Sequence, residues 1–217
     1  MATKKVIASA APLIGDVVRS RAINDRRGLH RLLRAGLAEA NERFAPVSAL
    51  RITVGDEYQG VFADLGQALG ASLWLRLRLG PAADVRHGLG WGPVSVLEEE
   101  PRVEDGPGWW AARAAIDDVK RQARAAATRH ARTAYRLDES VDGPAPAPVN
   151  AALLLRDHLL GGLSERSVRL LAGLLDGASQ TELAAAEGIS GSAVSQRVRG
   201  DGLAVILAAS ELLGGVR

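Results

Sequence analysis

Hydrophobic segments of the strand and helix types alternate over the first 137 residues in an order that few folds allow. Helical periodicity predicts helices over 25–44, 65–79 and 109–130, with Asn24 or Asp25 capping the first. The predicted strands cover 5–15, 49–54, 58–62, 85–91 and 133–137, and a turn at Gly92-Pro93 predicts a further short strand. The core order strand-helix-strand-strand-helix-strand is typical of ferredoxin-like α+β folds, in which an antiparallel sheet carries helices on one face.

The composition changes after residue 141. The segment DGPAPAPV at 142–149 is rich in Pro and Ala, which favours a semi-rigid linker over a core element. Short helices with tight turns are predicted beyond it. The sequence therefore predicts three parts: a sheet domain at 1–141, a linker at 142–149 and an all-α domain at 150–217.

The all-α part contains a predicted helix-turn-helix. In TELAAAEGISGSAVSQRVR, Gly188 suits a tight turn between two short helices and Ser190 suits the cap of the second. The segment resembles the helix-turn-helix units of bacterial regulators, and hydroxyl, amide and guanidinium groups on the second helix suit contacts with double-stranded DNA. The candidate DNA-binding residues are Ser190, Ser192, Ser195, Gln196, Arg197 and Arg199. The alternative is a trihelical packing module without DNA contacts.

Two carboxylates are predicted to meet at one end of the sheet. Asp16 ends the first strand and Asp56 lies at the tip of the hairpin ITVGDEYQG, on a neighbouring strand of the predicted sheet. Oxygen ligands of this kind suit Mg²⁺, or Mn²⁺, together with triphosphate oxygens. Glu57 is a candidate third ligand, although a solvated Glu at a hairpin tip is an equally good interpretation.

Residues around these carboxylates suit a nucleotide. Gly15 and Gly55 would let the backbone approach a phosphate closely, and Arg19 and Arg21 would meet its charge. The formal net charge is only +2, but basic residues are unevenly distributed. Runs with few acids, interpreted as either solvated faces or phosphate-binding surfaces, comprise Arg19, Arg21, Arg26, Arg27, Arg31 and Arg34 and also Lys120, Arg121, Arg124, Arg129, Arg132 and Arg136.

Several classes of function are excluded by what the sequence lacks. The absence of cysteine rules out disulfides, zinc-thiolate sites and cysteine nucleophiles. Neither a Walker A motif nor a GxGxxG motif after a strand is present, which argues against P-loop and Rossmann folds. No uncharged apolar run is long enough to cross a membrane, and the N-terminus lacks the features of a signal peptide, so a cytoplasmic protein is expected.

Four segments carry a resemblance to known families. LIGDVVRSR, TVGDEYQGVF, VRHGLGWGPV and GWWAARAAID resemble, in this order, the catalytic domains of class III nucleotidyl cyclases, which share a palm-like fold with GGDEF diguanylate cyclases. The resemblance implies that Asp16 and Asp56 match the metal-binding aspartates and that Arg113 matches the transition-state arginine. Trp109 stands where cyclases carry an asparagine, and losing one such donor costs ~3 kcal/mol of transition-state stabilisation. With its helix-turn-helix tail, the whole chain resembles the SatD family.

These features predict a bacterial DNA-binding regulator whose palm-like domain senses a nucleoside triphosphate or cyclic nucleotide together with Mg²⁺. Nucleotide-binding candidates are Gly15, Arg19, Arg21, Gly55 and Arg113. A homodimer is expected because a two-fold dimer matches palindromic DNA half-sites. One alternative is a nucleotidyl cyclase or nucleotidyltransferase in which Asp16, Asp56 and Arg113 act in a two-metal mechanism. Another is a nucleic-acid-binding module whose palm serves only as a dimerisation scaffold.

Overall fold

The computed structural model of the chain describes residues 5–80 and 82–217, which form six strands and eight α-helices. The strands are β1 Lys5–Val17, β2 Ser48–Val54, β3 Glu57–Phe62, β4 Val85–Glu99, β5 Arg102–Asp105 and β6 Thr133–Leu137. The helices are α1 Arg26–Phe44, α2 Leu65–Leu79, α3 Pro107–Gln122, α4 Pro146–Gly161, α5 Glu165–Leu175, α6 Gln180–Glu187, α7 Gly191–Gly200 and α8 Leu203–Gly214. Within the described part of the chain, no helix is both long and apolar enough to cross a membrane.

The sheet has the strand order β2-β3-β1-β4-β5, which confirms the ferredoxin-like arrangement of the first four strands. The expectation of a purely antiparallel sheet is wrong, because β6 pairs in parallel with β4. The turn predicted at Gly92-Pro93 is also wrong, since β4 continues through it as one strand. Pro93 is tolerated there because β6 pairs with β4 only up to Trp91, whereas β5 begins to pair at Ser95. Pro93 thus lies where this edge of β4 has no partner strand, and its missing N–H costs no hydrogen bond of the sheet.

Helices cover both faces of the sheet, not one face as predicted. The apolar side chains of α1 and α2 pack with Leu13 and Phe62 on one face. Helix α3 packs on the opposite face, against Ile14 and Val61. It approaches β4 very closely, since a Cβ added at Gly90 would lie 2.1 Å from the carbonyl oxygen of Gly108. Helix α3 ends at Gln122, eight residues before the predicted end at 130.

The C-terminal helices share apolar cores with the sheet domain. Helix α4 already begins at Pro146, inside the predicted linker, and its Val149 and Leu153 lie in the main core beneath the sheet. Conversely, α2 of the sheet domain contributes Leu73 and Leu77 to the core formed by α4 to α8. The segment that connects the sheet to the helices is thus shorter than 142–149. The division into separate domains stays a prediction.

A buried ionic cluster joins α2, α4 and the start of β6. Asp157 of α4 is fully buried, and its Oδ1 accepts a hydrogen bond of 2.5 Å from Nη1 of Arg76. Its Oδ2 accepts from the backbone N–H groups of Arg132 (2.6 Å) and Thr133 (2.7 Å). The neighbouring Arg156 is also buried, and desolvation lowers its pKa to about 10. Because a buried charge is costly unless it is paired, these contacts fix α4 firmly to the sheet.

Candidate functional site

Asp16 is surrounded by basic side chains. The register of β1 and β4 places Asp16 opposite Arg86, whose Nε and Nη2 donate to the two carboxylate oxygens at 2.8 and 3.1 Å. Lys120 reaches the same carboxylate from α3, with Nζ 3.2 Å from Oδ2. Only 13% of the Asp16 side chain is exposed. Both oxygens of this predicted metal ligand are therefore engaged by cations of the protein itself.

Asp56 lies beside Asp16, at the same end of the sheet. It follows Gly55, which has a φ of 63° at the tip of the β2–β3 hairpin. Its Oδ2 accepts a hydrogen bond of 3.2 Å from the backbone N–H of Val17, the residue after Asp16. The structure thus brings the two aspartates of the sequence hypothesis to one place.

Glu57 faces α3 and binds Arg113. The two carboxylate oxygens of Glu57 accept from Nη1 and Nη2 of Arg113 at 2.7 Å each. These hydrogen bonds lower the pKa of Glu57, and the charge of Lys120 also lowers it, while partial burial and the nearby Asp16 act in the opposite direction. The arrangement is a carboxylate cluster of Asp16, Asp56 and Glu57 interleaved with Arg86, Arg113 and Lys120, so that its formal charges balance.

The carboxylate cluster, as it is arranged, does not fit a magnesium ion. Mg²⁺ needs carboxylate oxygens free to complete near-octahedral geometry, and Arg86 and Lys120 occupy both oxygens of Asp16. Within residues 5–80 and 82–217, no three His, Cys, Asp or Glu side chains are arranged to hold a metal ion. The basic side chains are instead suited to the phosphates of a ligand.

The predicted nucleotide-binding residues occupy different environments. Gly15 is buried, and a Cβ there would lie 2.3 Å from the ring of Tyr58, so packing requires glycine at this position. Gly55 has open space around it. Arg19 and Arg21 are exposed in the segment after β1, and Arg19 has a φ of 54°. Arg113 is bound to Glu57.

Sequence reasoning missed Arg86 and Lys120, the two residues that bind Asp16. Lys120 lies seven residues after Arg113 and therefore on the same face of α3. That spacing was a signal available in the sequence. Arg86 depends on the register between β1 and β4, which the sequence does not give. His87, which follows Arg86 in β4, is fully buried with Nε2 2.7 Å from the Tyr58 hydroxyl, and desolvation, with smaller contributions from Arg76 and Arg156, lowers its pKa to about 3.

The two helices of the predicted helix-turn-helix are present as α6 and α7. Ser179 begins α6 with a capping box completed by Glu182, and Gly188 ends it with a φ of 62°. Ser190 then caps α7 by accepting from the N–H of Ala193. Val194 on α7 is fully buried in the core of the C-terminal helices. The three residues 188–190 are the whole connection between the helices.

The polar residues of α7 divide into an exposed group and a bound one. Ser192, Gln196 and Arg199 are exposed at positions i, i+4 and i+7, and so they lie on one face of the helix, with half-buried Ser195 beside them. Arg197 points elsewhere: its Nη1 lies 3.2 Å from the Ser167 hydroxyl and 3.5 Å from the Asp201 carboxylate. Arg197 therefore connects α7 to α5 and does not belong to the exposed face formed by Ser192, Gln196 and Arg199.

Comparison with known proteins gives structural neighbours of low similarity. No curated protein matches the sequence. The monomeric guanylyl cyclase domain of the RhoGC fusion protein from Blastocladiella emersonii is 18% identical, with a TM-score of 0.45 over 52% of this chain and 77% of that one. The guanylate cyclase domain of RhGC from Catenaria anguillulae, in complex with GTP, is 19% identical, with a TM-score of 0.43 over 52% and 74%.

A third solved structure, a bacterial light-regulated adenylyl cyclase, is 11% identical, with a TM-score of 0.48 over 62% of this chain and 44% of that one. The family comparison is more extensive, because the SatD family model matches residues 10–212. This match includes the sheet except the first five residues of β1, the carboxylate cluster, the helices α4 to α7 and nearly all of α8. The chain belongs to the SatD family.

Proposed function

We propose that this protein is a cytoplasmic bacterial DNA-binding regulator whose cyclase-like palm domain binds a nucleotide. Helix α7 would enter the major groove of DNA, and binding of the nucleotide to the palm domain would regulate this contact. The observation that carries the proposal is the exposed polar face of α7, formed by Ser192, Gln196 and Arg199 on the second of two helices joined by a three-residue turn. Such a helix is the reading element of helix-turn-helix proteins.

The chemistry of that face supports contacts with bases and phosphates. Glutamine pairs with the adenine edge and arginine with the guanine edge, while serine hydroxyls bind phosphates or bases. Exposed arginines on α1 offer further phosphate contacts, namely Arg26, Arg27, Arg31 and Arg34. A homodimer would present two copies of α7 to a palindromic site.

The nucleotide part of the proposal depends on basic rather than acidic residues. Arg19 and Arg21 are exposed three and five residues after Asp16, and Arg86, Arg113 and Lys120 lie within the carboxylate cluster. A Mg²⁺-dependent form of this binding would require Arg86 and Lys120 to release Asp16. The contacts of Asp16 therefore favour a metal-independent nucleotide sensor over the two-metal enzyme. Pyrophosphate release from ATP or GTP that is lost in Asp16→Ala/Asp56→Ala would establish the enzyme instead.

Selection of DNA sequences from a random pool, followed by mobility-shift titration, tests the regulator. We expect Gln196→Ala and Arg199→Ala each to weaken binding to the selected site by roughly fivefold or more, since one good base contact contributes about 1–3 kcal/mol. Gln67→Ala and Arg121→Ala, exposed on the palm domain, are the matched controls and should bind as the wild type does.

A comparison of Arg197→Ala with Arg199→Ala distinguishes a residue that supports the position of α7 from one that contacts DNA. Because Arg197 bonds to Ser167 and Asp201, its loss should lower thermal stability as well as DNA affinity, whereas Arg199→Ala should leave stability unchanged. A pool that yields no enriched sequence, or equal binding by wild type, Gln196→Ala and Arg199→Ala, would refute the DNA-binding role.

A further inference from the structure

A large basic cavity lies next to the carboxylate cluster. It has a volume of about 790 Å³, between the C-terminal end of α3, the α3–β6 connection and the first residues of β4. Six of its ten lining residues are Arg or Lys, and one is Asp. The cations, which come from four separate parts of the chain, are Arg19, Arg86, Lys120, Arg124, Arg129 and Arg132.

Half of these cations have no acidic partner. Arg86 and Lys120 bind Asp16, and Arg132 binds Asp84 at 2.8 Å. Among the described residues, Arg19, Arg124 and Arg129 form no ion pair with any carboxylate. Partial burial and the charges of Arg129 and Arg132 lower the pKa of His130 on the cavity wall. Like charges that face one concave space repel one another, and a bound anion would offset this repulsion.

We infer that this cavity binds the polyphosphate group of a nucleoside di- or triphosphate, directly and without a metal ion. The cations on several walls can contact more than one phosphate at once, and guanidinium groups bind phosphate oxygens in pairs. The volume is within the range of pockets that bind small ligands. A double-stranded nucleic acid is disfavoured because the cations line a concave space rather than a flat face.

The inferred site differs from the metal site predicted from the sequence in one measurable respect. A carboxylate site binds the complex of Mg²⁺ with a triphosphate and therefore requires the metal. A cavity lined by cations prefers the metal-free triphosphate, because bound Mg²⁺ cancels two of its negative charges. The effect of Mg²⁺ on affinity thus has opposite signs in the two cases.

The inference deepens the proposed function by locating the phosphates, and it rests on that proposal only for the nucleoside part of the ligand. Calorimetric titrations of the full chain with sodium triphosphate, ATP, GTP and AMP, in EDTA and then in excess Mg²⁺, test it. We expect triphosphate and at least one nucleoside triphosphate to bind in EDTA. Affinity should fall about tenfold for AMP, which has a single phosphate, and severalfold on adding Mg²⁺.

Substitutions locate the binding. Arg124→Gln/Arg129→Gln should weaken triphosphate binding at least tenfold, and both side chains are exposed enough for the variant to fold. Arg166→Gln/Arg169→Gln removes the same charge from exposed positions of α5 that do not line the cavity, and it should change affinity less than twofold. Binding that needs Mg²⁺, that is lost in Arg113→Gln instead, or that is absent for all four ligands overturns the inference. Failure of DNA binding would leave it standing and would remove only the regulator.

Discussion

Individual side chains decide what the end of the sheet can bind. The carboxylate of Asp16 resembles a metal ligand in the sequence, but in the structure Arg86 and Lys120 neutralise it. One bidentate arginine and one lysine occupy both oxygens of Asp16 and leave neither of them free to bind a divalent cation. Whether Asp16 can bind a metal ion therefore depends on its neighbouring side chains as well as on its own carboxylate.

Removal of the two cations should create the missing metal site. In Arg86→Ala/Lys120→Ala, Asp16 would lie beside Asp56 without a basic partner, and we expect Mn²⁺ to bind at least tenfold more tightly than to the wild type. Titration followed by electron paramagnetic resonance measures free Mn²⁺ directly. Adding Asp56→Asn should abolish the gain. Equally tight binding by the wild type would show that Arg86 and Lys120 do not block the metal.

The burial of His87 predicts a loss of stability in mild acid. Its pKa is about 3 in the folded protein, whereas an unfolded histidine titrates near ~6.5. Between these values the unfolded state binds the extra proton, so the free energy of unfolding falls as the pH decreases from about 6.5 towards 3. From about pH 7 to about pH 5 the loss from this residue is ~2 kcal/mol.

Urea unfolding of the wild type and of His87→Gln at these two pH values isolates that contribution. Glutamine has no titrating group but can still form a hydrogen bond with Tyr58. The variant should therefore lose less stability in acid than the wild type, although it starts from a lower value. An equal loss in both proteins would show that His87 is protonated in the folded state.

At the scale of elements, local patterns predicted most of the helices and strands. Helix α2 has the bounds of its predicted range, Leu65–Leu79, and Asp25 caps α1 as expected. What the sequence did not give depends on pairing between distant segments. The parallel partner β6, the continuity of β4 through Pro93 and the Arg86–Asp16 pair all follow from strand register. Register is set by tertiary packing, which no local period encodes.

The close contact between α3 and β4 should make Gly90 intolerant of a side chain. A Cβ there would lie 2.1 Å from the oxygen of Gly108, a backbone atom that can move only if α3 moves with it. We expect Gly90→Ala to lower the free energy of unfolding by about 2–4 kcal/mol. Gly200→Ala, where nothing lies within 4 Å, should leave stability unchanged or raise it by up to ~1 kcal/mol. Chemical denaturation compares the two variants.

At the scale of the whole molecule, the sheet domain and the helical region share their cores. Val149, Leu153 and Leu213 lie in the main core, and Arg217 at the C-terminus binds Asp64 at the start of α2. A fragment that ends at residue 145 would lose these contacts and expose Leu73 and Leu77. The Pro/Ala composition predicts a linker, but such a pattern does not show what the next helix packs against.

We therefore expect the full chain to unfold in one cooperative transition. Three of its four tryptophans, Trp91, Trp109 and Trp110, follow the sheet domain by fluorescence, whereas Trp74 also donates a hydrogen bond to Asp176 after α5. Far-UV circular dichroism follows α4 to α8 as well as the sheet domain. The two signals should change at the same urea concentration. Separate midpoints, or a fragment 1–145 as stable as the full chain, would show two independent folding units.

Arg132 connects the basic cavity to helix α4. Its guanidinium lines the basic cavity and is held by Asp84, while its backbone N–H is fixed by Asp157 of α4. A phosphate that draws the guanidinium away from Asp84 would pull on the peptide to which α4 is anchored. In the proposed regulator, the factor by which a bound phosphate changes the affinity for DNA must therefore equal the factor by which bound DNA changes the affinity for the phosphate.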